Sequence, residues 1–281
     1  MQILSLQSRV AYGYVGNSAA VPVLQRLGHE VTAVDTTLLS NHLGYATHGG
    51  RILPAADVAA VVEGLAKLGR FARIEALLSG FLGQSANVAG DAVQWLRMEN
   101  PAALYCLDPV MGERDGGLYV PAATAGTIAG RLVPEADILL PNAFELDQLA
   151  GRRSGNLAEV IEAADALRGL ARPGATVIAT GLDYEGGPRD RVEVLALSAA
   201  GRWLGSSPRL DLPAHGEGDL FAALFLGHFL NRRDLPGALA RTIDATHAVF
   251  SRSIGQEELA LVPSLNYLLD PPTIAGIEKI G

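Results

Sequence analysis

The feature that most constrains this chain is a rhythm. Short runs that are apolar on both faces alternate with longer segments patterned at the helical period. Residues 2–6, 30–34, 76–78, 103–107, 138–140 and 175–180 read as strands. Residues 16–27, 55–68, 84–98, 122–131, 142–149 and 157–170 read as helices, with Gly28 and Gly69 placed to stop the first two. Residues 192–197 and 202–204 read as later strands, an antiparallel edge, before helices over 219–231 and 235–253. Strands with no polar face must be covered on both sides, and helices between them supply the cover. This predicts a mostly parallel central sheet in a three-layer α/β/α sandwich. No low-complexity linker or internal repeat interrupts the pattern, so one domain over 1–281 is expected, although the length allows two.

Charge narrows the partners. The formal charge is −8, which argues against nucleic acid or an anionic membrane as partner. A single nucleotide in a cleft is compatible with it. Only two of the 22 basic residues are lysines, Lys67 and Lys279, and neither stands in a glycine-rich loop. That excludes a P-loop kinase, which needs a lysine in its phosphate loop, and argues against an enzyme that holds pyridoxal phosphate as a Schiff base. The lone Cys106 lies in an apolar run and reads as a buried strand thiol. The first residues carry no signal-peptide pattern, and the most apolar stretch, 220–230, is too short to span a bilayer. A cytoplasmic protein is expected.

In parallel sheets, ligands bind beyond the carboxyl ends of the strands. Polar and glycine-rich segments collect there: Gln7-Ser8, Ser79-Gly80, Asp108-Pro109, Pro141-Asn142 and Thr180-Gly181. The sharpest motif is His215-Gly216-Glu217-Gly218-Asp219 before an apolar helix. Free N–H groups at a helix start attract phosphate. Asp219 reads either as an N-cap or as a general base taking a proton from an attacking hydroxyl. Asp108, in Asp108-Pro109-Val110-Met111-Gly112, could hold Mg²⁺ directly or through water. Glu145, in Asn142-Ala143-Phe144-Glu145, either complements a helix dipole or joins Asp108 around a metal.

The order D-P-V-M-G, P-N-x-x-E, G-x-G-D resembles the ribokinase-like superfamily, and within it the pyridoxal kinases. Gln7-Ser8-Arg9-Val10, Gly13-Tyr14-Val15-Gly16-Asn17-Ser18-Ala19-Ala20, Ser40-Asn41-His42, Ser79-Gly80-Phe81-Leu82-Gly83 and Gly117-Leu118-Tyr119-Val120-Pro121 are similar to further segments of that family. The resemblance spans the chain. It implies ATP-dependent phosphorylation of the 5′-hydroxymethyl group of pyridoxal, a vitamin B6 salvage step. Asp219 would be the base and the N–H groups of Gly216, Glu217 and Gly218 the anion hole. Asp108 and Glu145 would organise Mg²⁺, with Asn142 and Thr180 along the ATP. Ser8, Val15, Phe81 and Tyr119 would surround the pyridine, together with the position held by Leu43. A homodimer is implied too, and a monovalent cation requirement stays open.

Several positions depart from the family pattern. Glu217 replaces a small or β-branched residue, and a carboxylate about 4 Å from a phosphate charge would cost about 4 kcal/mol at an effective dielectric near 20. The expectation is therefore that Glu217 points to solvent. Leu43 stands where the family has Thr, Phe81 where it has Tyr, and Leu39 where it has Phe. Lost hydroxyls change specificity more than methylenes do. Two alternatives follow: a kinase for another hydroxymethyl heterocycle such as hydroxymethylpyrimidine, and a weakly active binding or regulatory protein. Residues 115–117 read as a mobile loop. His42, His215, His228 and His247 carry no assigned role.

Overall fold

The computed structural model describes residues 1–210 and 215–280. Its strands and helices are β1 (Gln2–Gln7), α1 (Asn17–Arg26), β2 (Glu30–Asp35), β3 (Thr37–Leu39), β4 (Gly50–Ile52) and α2 (Ala55–Lys67). There follow β5 (Ala76–Ser79), α3 (Ala86–Glu99), β6 (Leu104–Leu107), β7 (Gly112–Glu113), β8 (Gly117–Leu118), α4 (Ala122–Thr127), β9 (Ile138–Leu139) and α5 (Ala143–Ala150). The chain continues with α6 (Leu157–Leu170), β10 (Thr176–Ala179), β11 (Arg191–Ser198), β12 (Gly201–Pro208), α7 (Glu217–Arg232), α8 (Leu235–Ser253), α9 (Leu261–Ser264) and β13 (Gly276–Ile280).

Nine of the described strands form one sheet in the order β13-β12-β11-β10-β9-β6-β5-β1-β2. From β2 to β10 every pairing is parallel, and from β10 to β13 every pairing is antiparallel. Helices make the crossovers in the first part; in the second, a tight turn joins β11 to β12, and β13 returns to pair with β12 only after α7 and α8.

The period-2 rule explains why the strands had to be apolar on both sides. Leu4, Leu6, Leu77, Tyr105, Leu107, Leu139 and Val177 face the layer of α2, α3 and α6, against Val62, Val93, Leu96 and Leu167. Their neighbours Ile3, Leu78, Cys106, Ile138 and Ile178 face α1, α7 and α8, against Leu24, Leu224, Phe225 and Leu239. Each fully buried side chain of this kind stabilises the fold by about 1.5–3 kcal/mol. At the amino ends, Arg97 donates to the Glu135 carbonyl at 2.6 Å and to Asp137 Oδ2 at 2.8 Å, and Asp137 also takes the Tyr105 N–H at 2.7 Å.

The carboxyl ends of β10, β9, β6, β5 and β1 are adjacent in this order. Thr180, Asn142, Asp108, Ser79-Gly80 and Ser8 therefore lie along one rim.

The structure adds three pieces that the sequence pattern does not signal. A β3–β4 hairpin carries residues 40–49, β13 completes the meander edge, and β7–β8 form a small hairpin. The expected mobile loop at 115–117 is instead the turn and return of that β7–β8 hairpin, where Gly117 has φ 68°. The helix expected over 122–131 is α-helical only to Thr127, then passes through a π-helical turn at Ile128–Leu132. Cys106 is fully buried. No helix among the described residues is long and apolar enough to cross a membrane.

Candidate active site

Gly216 is the N-cap of α7, with φ 93°. A Cβ there would lie 1.9 Å from the Tyr14 carbonyl oxygen, so only glycine fits. Asp219 is thus the third residue of α7, and no side-chain cap bond is made at this helix start. The N-cap reading of Asp219 is corrected: the cap is Gly216, and the Asp219 carboxylate remains for other work. Burial pushes its pKa up to about 6, against the opposing hydrogen bond from the Gly16 N–H.

Gly16 is a site residue that motif reading passed over. Its φ is 52°, and a Cβ would lie 2.2 Å from the Ser8 carbonyl oxygen and 2.3 Å from Ser8 Oγ. The next residue is locked as well. Asn17 N–H donates to Ser8 O at 2.6 Å, and the Asn17 side chain donates to Asp35 Oδ1 at 2.7 Å and accepts from Ser5 Oγ at 2.7 Å. The G-x-x-G-N spacing was the available signal. It fixes a strap from β1 to α1 that brings one N–H to Asp219.

Asp108 and Glu145 face this turn. A Cβ on Gly218 would lie 4.0 Å from Asp108 Oδ2. Asp108 is 7% exposed and Glu145 2%. Burial, then the charges of Glu145 and Asp219, hold the Asp108 pKa well above the usual carboxylate range. Burial likewise pushes Glu145 to about 7, opposed by hydrogen bonds from the Asn142, Met111 and Gly112 backbone. No cationic side chain among the described residues offsets any of the three carboxylates. Buried negative charge without a partner fits a hard, oxygen-liganded cation.

The two metal candidates are not equivalent. Glu145 Oε1 accepts from Met111 N at 2.8 Å and Oε2 from Asn142 N at 3.0 Å. Asn142 Oδ1 in turn accepts from Glu145 N at 2.9 Å, a capping box, while Asn142 Nδ2 donates to Gly112 O at 2.9 Å. The P-N-x-x-E motif therefore clamps the loop after β6 against the start of α5. Both ends of the Asn142 amide are engaged in that clamp. Among the described residues, none makes such a bond to the Asp108 carboxylate. Among the described residues no three His, Cys, Asp or Glu side chains converge as a ready cage, so water and phosphate oxygens must complete any metal shell.

Thr180 pairs with Asn142 across an isolated bridge, and its N–H donates to Pro141 O at 2.9 Å. Beyond it lies a cleft of about 560 Å³ that includes Gly181, Tyr184, Arg189, Val192 and Arg209. This is ample for a nucleoside.

On the other side of the turn, Ser8 is buried beneath Gly16, and Val15 packs with Val10 and Leu39. Gly216 approaches Val15 directly: a Cβ there would meet Val15 Cγ1 at 3.3 Å. Tyr119 is 53% exposed. Partial burial of its phenol, then the charges of Glu145, Asp108 and Asp219, raise its pKa. Phe81 packs against the α2–α3 core, and its carbonyl accepts from Thr36 Oγ1 at 2.7 Å. Leu43 stands further out, 41% exposed on the 40–49 loop. Glu217 is exposed, with its carboxyl pKa raised by partial burial.

The arrangement can do one kind of chemistry well. A carboxylate with pKa near neutrality, one turn from an N–H cradle and opposite metal-fitting carboxylates, can deprotonate an alcohol beside a bound phosphate.

Comparison with known proteins gives the same direction. A family model described as phosphomethylpyrimidine kinase matches residues 30–260. A pyridoxal kinase of Corynebacterium diphtheriae is 40% identical over 285 residues, covering 100% of both chains. One from Rubrobacter xylanophilus is 41% identical, covering 100% of this chain and 98% of that one. Among solved structures, the pyridoxal kinase from Leishmania donovani in complex with ADP and pyridoxine superposes with a TM-score of 0.90 at 26% identity, covering 100% of this chain and 99% of that one.

Proposed function

We infer the reaction from the premise that this chain belongs to the phosphomethylpyrimidine kinase family and, within it, to the ribokinase-like pyridoxal kinases: it transfers the γ-phosphoryl group of ATP to the 5′-hydroxyl of pyridoxal. The observation that carries the mechanism is the position of Asp219, three residues past the Gly216 cap, with its pKa near 6.

Ser8, Val15 and Tyr119 hold the pyridine so that its hydroxymethyl group points at Asp219. The carboxylate takes the hydroxyl proton as the oxygen attacks the γ-phosphorus. The N–H groups of Gly216, Glu217 and Gly218 meet the charge that spreads over the phosphoryl oxygens. Thr180 and the cleft beyond it take the nucleotide, and Asn142 shapes that end through its clamp on Gly112. Mg²⁺, when bound with ATP, supplies charge neutralisation and orientation of the phosphates. Asp108 would hold it, with Glu145 acting through water because its oxygens already accept backbone N–H groups. Exposure of Glu217 supports a site in which that carboxylate stays off the phosphates.

We also propose a cytoplasmic homodimer, on the family resemblance. A single ribokinase-like unit over 1–281 is supported by the sheet, which takes strands from Gln2–Gln7 and from Gly276–Ile280. The second reading is a kinase for another hydroxymethyl heterocycle. Leu43 and Phe81, which lack the family's hydroxyls, favour it.

The test is ATP-dependent phosphorylation of pyridoxal, pyridoxine, pyridoxamine and hydroxymethylpyrimidine side by side. Pyridoxal is expected to have the highest kcat/KM. Turnover of hydroxymethylpyrimidine alone would select the second reading, and turnover of none would overturn both.

A further inference from the structure

The 40–49 loop between β3 and β4 is built from within. Gly49 N–H donates to Ser40 Oγ at 2.7 Å, and Asn41 Nδ2 donates to Thr47 O at 2.8 Å. Gly44 N–H donates to His42 Nδ1 at 3.1 Å. An accepting Nδ1 carries no proton, so His42 is the neutral Nε2–H tautomer. Burial, then the nearby His215, lower its pKa to about 4, which keeps it neutral across the working range. The loop is a preformed piece.

At its base the Ser40 carbonyl accepts from the Tyr12 N–H at 2.8 Å, and Tyr12 packs edge-on against Tyr45; further contacts reach Glu258 and His215. Tyr45 Oη donates to Glu258 Oε1 at 2.6 Å, and Glu258 Oε2 accepts from Tyr14 N–H at 3.3 Å. The His42 and His215 rings have centroids 4.0 Å apart at 34°, and Tyr45 lies 6.1 Å from His215. The loop backbone also lies on His215: a Cβ on Gly44 would be 2.8 Å from His215 Nε2 and 2.9 Å from Cε1. His215 is the residue immediately before Gly216, whose backbone rests on Tyr14. One imidazole therefore sits between the loop that carries Leu43 and the turn that would cradle phosphate.

The geometry points to His215 as a positioning residue: its ring docks the 40–49 loop onto the phosphate turn, so that closing the alcohol pocket and setting the turn are one event. The inference rests on the kinase reading above. It has a chemical consequence. With the loop undocked, a water oxygen can bond to the γ-phosphorus while the bond to ADP breaks and the water's proton passes to Asp219, giving ADP and inorganic phosphate without phosphorylated vitamer. Docking suppresses that loss.

The experiment is a double-mutant cycle of His215→Ala and Gly44→Ala, with His215→Phe as the ring-keeping variant. Amide exchange over 41–47 is read without substrate, and kinetics with pyridoxal and ATP. We expect His215→Ala to speed exchange at 41–47 about tenfold or more. KM for pyridoxal should rise about three- to tenfold, the worth of one aromatic contact. More ADP should form per phosphorylated product, and KM for ATP should stay within about twofold. Gly44→Ala should reproduce this alone and add clearly less than its full effect to His215→Ala, where only the 3.0 Å approach to His42 Nδ1 remains. His215→Phe should restore most of the exchange protection. Additive effects, or unchanged exchange at 41–47 in His215→Ala, would overturn the proposal. Exchange results as expected with no vitamer phosphorylated by the wild type would uphold the docking and refute the kinase reading.

Discussion

Asp219 shows how far a single residue's chemistry depends on its register. A carboxylate near a glycine-rich helix start is most often a cap, and the motif alone left both roles open. The decision came from Gly216 being the cap, three residues earlier. The shifted pKa makes a pH prediction. The base form of Asp219 is lost as pH falls through about 6, so kcat/KM for pyridoxal is expected to fall at least about tenfold per pH unit below that. A profile level down to pH 5 would remove Asp219 as the base. The shift also has a stability sign. A carboxyl raised from 3.8 to about 6 favours the fold while protonated, and that contribution is lost as pH rises through 6.

At the scale of elements, the long helices and core strands were legible because each buries a patterned face over several residues. The start of α5 was legible as a motif, but its role as a clamp was not. Asn142 and Glu145 pointed to ATP and metal, yet their side chains first satisfy the free N–H groups of α5 and hold the loop after β6. The β3–β4 and β7–β8 hairpins left no trace, because strands of two or three residues are too short to show a period. The strap from β1 to α1 is the most exacting element. Gly16→Ala would place a methyl 2.2 Å from the Ser8 carbonyl and displace the N–H that meets Asp219. The expected result is a loss of about 1–3 kcal/mol in stability by denaturant melt and at least a tenfold fall in kcat/KM. An alanine variant with wild-type rate would show that the strap does not set the base.

At the scale of the molecule, the alternation of doubly apolar strands with helices predicts the layers, but not the strand order. That order matters because it lines up the ends of β10, β9, β6, β5 and β1. Motifs a hundred or more residues apart, at Ser8, Asp108 and Asp219, thereby come to one end of the sheet. The loop contacts of His215 were invisible beforehand, since nothing in sequence ties residue 215 to residues 42 and 44. The charge balance also makes sense only here. A chain of net charge −8 with two lysines can hold a triphosphate if backbone N–H groups and a cation between carboxylates do the holding.

That claim separates binding from chemistry, because the cradle is backbone and the base is one side chain. The most direct measurement is phosphoryl transfer to pyridoxal and ATP affinity, taken together, in Asp219→Asn. The account predicts a fall in kcat of at least about a hundredfold with ATP affinity within about threefold of wild type. Near-normal kcat in this variant would contradict it.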